Sequence, residues 1–240
     1  LLDERLPRVI RYVKERRRDL SVSISTNGSL LTASVLDELV EAGLDSLVIG
    51  LNALTEETFA IVEPSLSYRT VMANLEDVMA RKPPALTVAV KAMVIRENMF
   101  ELAVPHRFSD LPERLAEAGI PFGASAISNR AGSLSAYEEL LVFEGTQSSR
   151  RKLYCHDPFE AINVLFDGKV ILCCADWSRR SVIGNIAEQA FDEIWQGAEA
   201  ACWREAVAGG RYGDLDPCRG CSQAWNIMQN LKVSEQAGEG

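Results

Sequence analysis

The chain has 240 residues of 47% apolar composition, enough to bury a real core, which excludes a disordered or fibrous protein. Its formal net charge of -9, from 34 acidic and 25 basic side chains, would repel a phosphate backbone and argues against a nucleic-acid partner. No stretch approaches the ~20 apolar residues of a membrane span, and no signal-like start is present. We therefore expect a cytoplasmic protein without membrane partners.

The N-terminal part of the sequence predicts alternating helices and strands. The first residues already carry a helical pattern without an initiator Met, so we expect the chain to begin in the middle of a fold. The strand runs are apolar on both faces, which favours a parallel sheet covered by helices, in a partial or complete α/β barrel. Helices are expected at 2–13, 32–43, 55–63, 67–81 and 109–118, and strands at 20–26, 46–52, 86–95 and 121–127.

The pattern changes after about residue 145. Residues 161–166 and 169–174 alternate like strands around the turn Asp167-Gly168, which predicts a β-hairpin. A polar tail follows Val233. We therefore expect a barrel-like domain over 1–145, a small α+β module over 146–233 and a frayed tail over 234–240.

All six cysteines lie in the last 86 residues and belong to the small module. Cys218 and Cys221 form a CxxC pair, a spacing that lets two thiolates bind one metal centre. The hairpin brings Cys173 towards both Cys155 and this pair. Zinc, an iron-sulfur cluster or two disulfides fit the count; disulfides fit worst in a cytosolic chain, and spacing alone does not separate zinc from iron-sulfur.

A series of motifs surrounds these cysteines in a fixed order. They are YCHDPF at 154–159, DGKVILCC at 167–174, IGNI at 183–186, DEIW at 192–195 and CRGC at 218–221, with a C-x(12)-G-x(4)-C opening. Together they resemble the C-terminal SPASM/twitch module of radical S-adenosylmethionine (SAM) enzymes. No cysteine follows Cys221, which favours the shorter twitch form.

This resemblance implies an auxiliary [4Fe-4S] cluster in the small module. By position in the family, its ligands are Cys155, Cys173, Cys218 and Cys221. Cys174 and Cys202 are left over, and we expect both to be buried as small apolar residues.

The N-terminal part resembles the same family independently. Ser25-Thr26-Asn27-Gly28 is similar to the turn after the third strand of the family's partial (β/α)6 barrel, and residues 48–52 occupy the place of its fourth strand, with Gly50 and Asn52 departing from the usual Ser and Asp. The resemblance implies SAM-binding roles for Thr26, Asn27 and Asn52, although the first two also suit turn formation alone.

Residues 94–98 resemble the end of the family's fifth strand, and the segment 128–132 resembles the one after its sixth. Arg130, in the second of these segments, is the candidate catalytic residue, for recognition of substrate or SAM, with a surface arginine as the alternative.

The sequence contains no CxxxCxxC motif, which in the family binds the SAM-cleaving cluster. We expect either an N-terminally truncated enzyme or a degenerate homologue. The resemblance implies a radical SAM oxidoreductase or maturase that acts on a small molecule or peptide and receives electrons from flavodoxin or ferredoxin. SAM and a second [4Fe-4S] cluster would belong to the complete protein, and these 240 residues alone would be inactive. The alternative is a zinc- or cluster-stabilised binding or partner subunit without catalysis.

Overall fold

The computed structural model describes residues 3–126, 129–131, 133–134 and 155–221. The chain forms two compact units, Leu1–Ile127 (the first unit) and Ser128–Gly240 (the second unit). The expected domain boundary at 145/146 and the expected tail 234–240 lie outside the described residues, as do Leu2 of the opening helix and Ser128 and Gly132 of the segment near Arg130. That domain boundary stays a prediction.

The first unit is an α/β structure with one parallel sheet, which confirms the predicted fold class. Its four strands pair in the order β1-β2-β3-β4, so each strand lies beside the next one along the chain. The strands are β1 (Ser23–Thr26), β2 (Ser46–Gly50), β3 (Thr87–Val94) and β4 (Phe122–Ala126). The helices are α1 (Leu6–Arg16), α2 (Ala33–Glu41), α3 (Glu56–Val62), α4 (Tyr68–Arg81), α5 (Met99–Ala103) and α6 (Leu111–Glu117).

Local signals in the sequence set the ends of several of these helices. The hydroxyls of Thr32, Thr55 and Ser67 accept hydrogen bonds from backbone N–H groups in the first turns of α2, α3 and α4. Gly28 and Gly43 have φ of +78° and +95°, and they allow the sharp turns after β1 and after α2. The helix Met99–Ala103 was not predicted, since five residues carry too little periodicity to be recognised.

Among the described residues, the buried side chains of β2 and β3 alternate along the strand and lie on one face of the sheet, so the prediction of strands apolar on both faces is wrong for the edge strands β1 and β4. Right-handed crossovers between sequential parallel strands place the connecting helices on that side. On that side, Leu47, Ile49 and Val90 are buried. The opposite face carries small and polar residues, Ser23 and Ser25 on β1 among them, and residues 123–126 of β4 are all exposed.

The second unit holds a small antiparallel sheet with short helices around it. The predicted hairpin is present as β5 (Asn163–Val164) and β6 (Lys169–Ile171), and the strand β7 (Val182–Asn185), which the sequence did not predict, pairs with β6. The helices are α7 (Asp157–Glu160), α8 (Phe191–Trp195), α9 (Ala198–Ala208) and α10 (Asp216–Arg219).

The core of the second unit lies between the small sheet and α9. Val170 and Leu172 from the hairpin, together with Trp203 and Val207 from α9, are buried in it, and Cys155, Cys218 and Cys221 pack against its border. In the part of the chain that the structure describes, no helix has both the length and the hydropathy needed to cross a membrane.

Candidate metal centre

The hairpin of the second unit carries Cys173 to its position. Gly168 in the turn has φ of +84°, and a Cβ atom added there would lie 2.6 Å from Oδ1 of Asn185 on β7. The turn is further fixed by the N–H of Lys169, which donates to the Asp167 carboxylate at 3.3 Å. After β6 the chain continues through the fully buried Leu172, so Cys173 directly follows an anchored strand.

Four cysteines line a single cavity of about 30 Å³ in the second unit. They are Cys155, Cys173, Cys218 and Cys221, which are the four cysteines predicted as ligands, and Ala131, Asp157, Ala175, Tyr212 and Pro217 complete the lining. All six cysteines of the chain carry free thiols. The structure thus brings the predicted ligands together from three separate segments.

Backbone contacts fix the segments that carry these thiols. The N–H of Cys155 donates to the hydroxyl of the buried Tyr212 at 3.1 Å, and the N–H of Cys221 donates to the carbonyl of Cys218 at 3.1 Å. Arg204 on α9 donates to the carbonyls of Pro158 and Trp195 at 2.8 and 2.7 Å, which ties α7 and α8 to α9. The cavity is therefore held by the small core beneath it.

Burial sets the protonation of the thiols. Burial, with a smaller contribution from negative charge on neighbouring groups, raises the pKa of Cys173 and of Cys218 to about 12, whereas the N–H of Ala175 opposes the rise at Cys173. Both groups are thiols at neutral pH, and a bound cation is needed to convert them to thiolates. Metal binding at this cavity would therefore release protons.

The cavity offers the donor set of an iron-sulfur cluster. In an iron-sulfur cube each iron takes its own cysteine, so four cysteines around one cavity match the number and type of ligands that a [4Fe-4S] cluster needs. Among the described residues, no group of three or more His, Cys, Asp or Glu side chains is already arranged around a single metal ion.

The two remaining cysteines are exposed, so the prediction that they are buried is wrong. Cys174 follows Cys173, and its Sγ donates to Oδ2 of Asp157 at 3.3 Å. Cys202 lies on the solvent side of α9, beside the buried Trp203. The small, apolar side chain of cysteine is not enough to predict burial. The packing of the hairpin end and of α9 determines which of their side chains are buried.

Arg130, the predicted catalytic residue, lies in a strained segment of the second unit. Arg130 and Ala131 have φ of +48° and +54°, a left-handed conformation that costs about 1–2 kcal/mol for each non-glycine residue. The Arg130 guanidinium lies over the Trp177 ring at 4.9 Å, and its Nε is buried without a hydrogen-bond partner in the described chain. Burial raises the pKa of Cys174 to about 11, and the nearby Arg130 charge opposes this rise.

Three polar contacts hold this segment in place. The side-chain amide of Asn129 donates to the carbonyl of Gly220, within the CxxC loop, at 2.6 Å. Arg180 donates to the carbonyl of Ala131, and the Ser178 hydroxyl and N–H lie 3.0 and 3.2 Å from the Ser133 hydroxyl. The segment containing Arg130 is therefore attached to the walls of the cysteine cavity.

The predicted SAM-binding residues lie in the first unit, at the carboxyl ends of neighbouring strands. Thr26 ends β1, and its hydroxyl accepts from the N–H of Gly28 at 3.2 Å; Asn27 accepts from the N–H of Ser29 at 3.1 Å. Asn52 follows β2, and its amide donates to Glu63 at 2.6 Å and accepts from the N–H of Met93 at 2.8 Å. All three side chains support the local backbone here, and their SAM-binding roles stay predictions.

Two buried polar residues that hold this sheet edge were missed by sequence reasoning. Asn98 is fully buried and donates to the carbonyls of Asn52 and Met93 at 2.7 and 2.8 Å. Glu101, 4% exposed, accepts from the N–H groups of Leu54 and Thr55 and, at 2.9 Å, from the Thr55 hydroxyl. Apart from Met93, these partners lie more than 40 positions away in the sequence, so no local pattern predicts the contacts.

Comparison with known families agrees with both units. Residues 1–103 match the Radical SAM superfamily, and residues 155–222 match SPASM, an iron-sulfur cluster-binding domain. The chain thus contains one region similar to the radical SAM superfamily and a second region similar to SPASM domains. Radical SAM and SPASM domains imply bound SAM and [4Fe-4S] clusters, which agrees with the cofactors predicted from the sequence.

Two curated relatives are similar to part of this chain. The S-adenosyl-L-methionine-dependent 2-deoxy-scyllo-inosamine dehydrogenase of Niallia circulans is 27% identical over 123 residues, 49% of this chain and 46% of that protein. The GTP 3',8-cyclase of Chlorobaculum tepidum (strain ATCC 49652 / DSM 12025 / NBRC 103806 / TLS) is 34% identical over 96 residues, 40% of this chain and 28% of that protein. The matches thus span less than half the length of either relative.

A solved structure shows the same fold over nearly the whole chain. Native anSMEcpe with bound AdoMet and the Cp18Cys peptide superposes with a TM-score of 0.58 at 11% identity, covering 96% of this chain and 78% of the other. At this identity the likeness concerns the fold alone.

Proposed function

We propose that Cys155, Cys173, Cys218 and Cys221 bind an auxiliary [4Fe-4S] cluster. The observation that carries this proposal is their convergence on one cavity from three separate segments of the chain. The SPASM match over 155–222 supports it, since it begins at the first of these cysteines and ends one residue after the last. The structural role follows from the cavity: when the cluster is bound, it joins the hairpin, the start of α7 and the CxxC loop.

The complete protein is, on this proposal, a radical SAM oxidoreductase or maturase. When bound, SAM and the SAM-cleaving [4Fe-4S] cluster would supply a 5′-deoxyadenosyl radical for abstraction of a substrate hydrogen. The auxiliary cluster would supply an electron acceptor or a contact to the substrate. The 240 residues contain no CxxxCxxC motif for the SAM-cleaving cluster, so we expect them alone to leave SAM intact. The strand ends at Thr26, Asn27 and Asn52 would orient SAM.

Arg130 would contact substrate or SAM in this enzyme. Its planar guanidinium suits a carboxylate or a pair of hydroxyls, and the strained backbone and the partnerless buried Nε are features typical of a functional position. The substrate would be a small molecule or a peptide: one relative acts as a 2-deoxy-scyllo-inosamine dehydrogenase, and anSMEcpe binds a peptide. Flavodoxin or ferredoxin would supply electrons in the cytoplasm.

A second candidate function rests on the absent CxxxCxxC motif. A chain that never carried it would use its sheet and its metal-stabilised module only to bind a partner subunit, with zinc or a cluster in the cavity. The two candidates differ in the metal, in the coding sequence before Leu1 and in whether the full-length protein cleaves SAM.

Anaerobic reconstitution tests the metal assignment. The chain is loaded with iron and sulfide, and we expect about four of each per chain with the broad visible absorption of an iron-sulfur cluster. Cys218→Ser should lower the iron content strongly, whereas the matched Cys202→Ser, at an exposed cysteine outside the cavity, should leave it unchanged. A colourless protein with one tightly bound zinc would contradict the cluster.

The enzymatic part is tested by the product of SAM cleavage. With a reductant, the full-length protein should produce 5′-deoxyadenosine, and the 240-residue chain should produce none. Formation of 5′-deoxyadenosine by the loaded 240-residue chain would contradict the assignment of a single auxiliary cluster. Its absence from the full-length protein would favour the partner subunit.

A further inference from the structure

Positive charge is distributed unevenly around the cysteine cavity. Arg180 approaches the buried Asp176 and the exposed Asp216, at 3.6 Å from each, so two carboxylates offset its charge. Arg130 forms no ion pair with any residue that the structure describes, and its buried Nε lacks a hydrogen-bond partner. Within the described part of the chain, Arg130 thus differs from Arg180 in having no carboxylate as an ion-pair partner.

The position of this charge is built into the backbone. Ala131, the residue after Arg130, lines the cavity and is 2% exposed. Two successive left-handed residues cost free energy that the polar anchors of the segment must offset, and these anchors run to the CxxC loop and to the turn after Cys173. A flexible surface arginine would not need this arrangement.

Trp177 fixes the direction of the side chain. It follows Cys173 by four residues, and the Arg130 guanidinium lies over its ring at 4.9 Å, within the range of a cation–π contact. The ring itself is 54% exposed, so packing in the core does not explain its place. The contact keeps the guanidinium beside the residues that directly follow Cys173 in the chain.

We propose that Arg130, positioned by Trp177, raises the reduction potential of the auxiliary cluster and so favours electron transfer to it. The inference rests on the proposed cluster in the cavity. Four thiolates give that site net negative charge, and one-electron reduction adds one more negative charge. An unpaired guanidinium nearby stabilises the reduced form more than the oxidised form, because Coulomb energy grows with the charge of the site.

The 240-residue chain is suited to the test because it lacks the motif for a second cluster. The chain is reconstituted anaerobically, and its midpoint potential is measured by dithionite titration followed by electron paramagnetic resonance. We expect Arg130→Gln to shift the potential to a more negative value and Arg130→Lys to keep most of the original value. Trp177→Leu should cause a smaller shift in the same direction, since it keeps the charge and removes its positioning contact.

Arg179 provides a matched control. It also has a left-handed φ of +56° and lies over an aromatic ring, that of Phe166 at 5.1 Å, but it is paired with Asp167 of the hairpin turn. Arg179→Gln should leave the potential unchanged. An Arg130→Gln potential equal to that of the unsubstituted chain, or an equal shift in Arg179→Gln, would overturn the inference.

Iron and sulfide content separates this inference from the proposed function. If the unsubstituted chain binds no cluster, the cluster assignment fails and the inference fails with it. If it binds one and the potential does not respond to the Arg130 variants, only the inference fails. If Arg130→Gln does not hold iron, Trp177→Leu decides: an unchanged potential in that loaded variant overturns the inference, and a negative shift supports it.

Discussion

The two units keep their chain segments in place by different means. In the first unit a large apolar core lies between one face of the sheet and the helices, and buried Asn98 and Glu101 satisfy the backbone at the strand ends. Among the described residues, the second unit has a core less than half as large, and four cysteines surround a cavity at its border. We therefore expect the first unit to be stable through its own side-chain packing and the second to depend in part on the proposed cluster.

The largest expected effect is the loss of the second unit when its metal site is broken. Cys218→Ser, or removal of the metal by a chelator, should release protection from hydrogen exchange over 155–221 and leave 3–126 protected, because metal binding contributes on the order of 10 kcal/mol in small thiolate sites. Hydrogen exchange with mass spectrometry measures this. Cys202→Ser serves as the control, and equal protection of the metal-free second unit would break the comparison.

A smaller effect is expected from Glu101 in the first unit. Its carboxylate accepts three hydrogen bonds at the start of α3, so Glu101→Gln, which removes the charge and one acceptor, should lower the free energy of unfolding by about 2 kcal/mol. Urea denaturation followed by far-UV circular dichroism checks the value. Glu97→Gln, at an exposed position nearby, should change little, and a loss of equal size there would argue against the buried contacts.

The smallest effect concerns pH and Asp45. Hydrogen bonds from Lys14 and from the N–H of Val22 lower the pKa of this carboxyl, at distances of 2.7 Å each. The folded state therefore gains stability from the ionised form above about pH 4, and loses it as the pH falls through the lowered pKa.

Asp45→Asn should accordingly cost about 1 kcal/mol or less at pH 7, since the pair is partly exposed, and the difference should shrink below pH 4. Unfolding by urea at pH 7 and at pH 3 measures both values. A difference that is the same at the two pH values would show that the charge of Asp45 contributes nothing.

The parts of the fold that could be predicted are those with local causes. Thr32 and Thr55 cap helices through N–H groups three positions away, and the Asp167-Gly168 turn is set by a glycine with positive φ. The parallel alternation of β1 to β4 follows from the same kind of local signal. β7 and α9 were missed because a four-residue strand and a helix with no clear apolar stripe leave little periodicity to detect.

The candidate metal site likewise has features that local sequence signals predict and features that they do not. The four cysteines were marked by their motifs and spacing, and the structure places them around one cavity. The anchoring of the Arg130 segment by Arg180 and Ser178, across 45 or more positions, could not be seen in the sequence because no local pattern reports such contacts. The exposure of Cys174 and Cys202 likewise depends on how distant elements pack.

The two faces of the first unit's sheet tolerate substitution to different degrees, because the described residues are exposed on one face and buried on the other. Substitutions at the small, exposed positions such as Ser25 typically change stability by about 0.5 kcal/mol or less, whereas shortening a side chain such as Leu47 on the covered face costs roughly 2–5 kcal/mol. One face of the same strands can therefore diverge while the other stays fixed. Substitutions at the exposed positions can therefore accumulate without compensating mutations in the core.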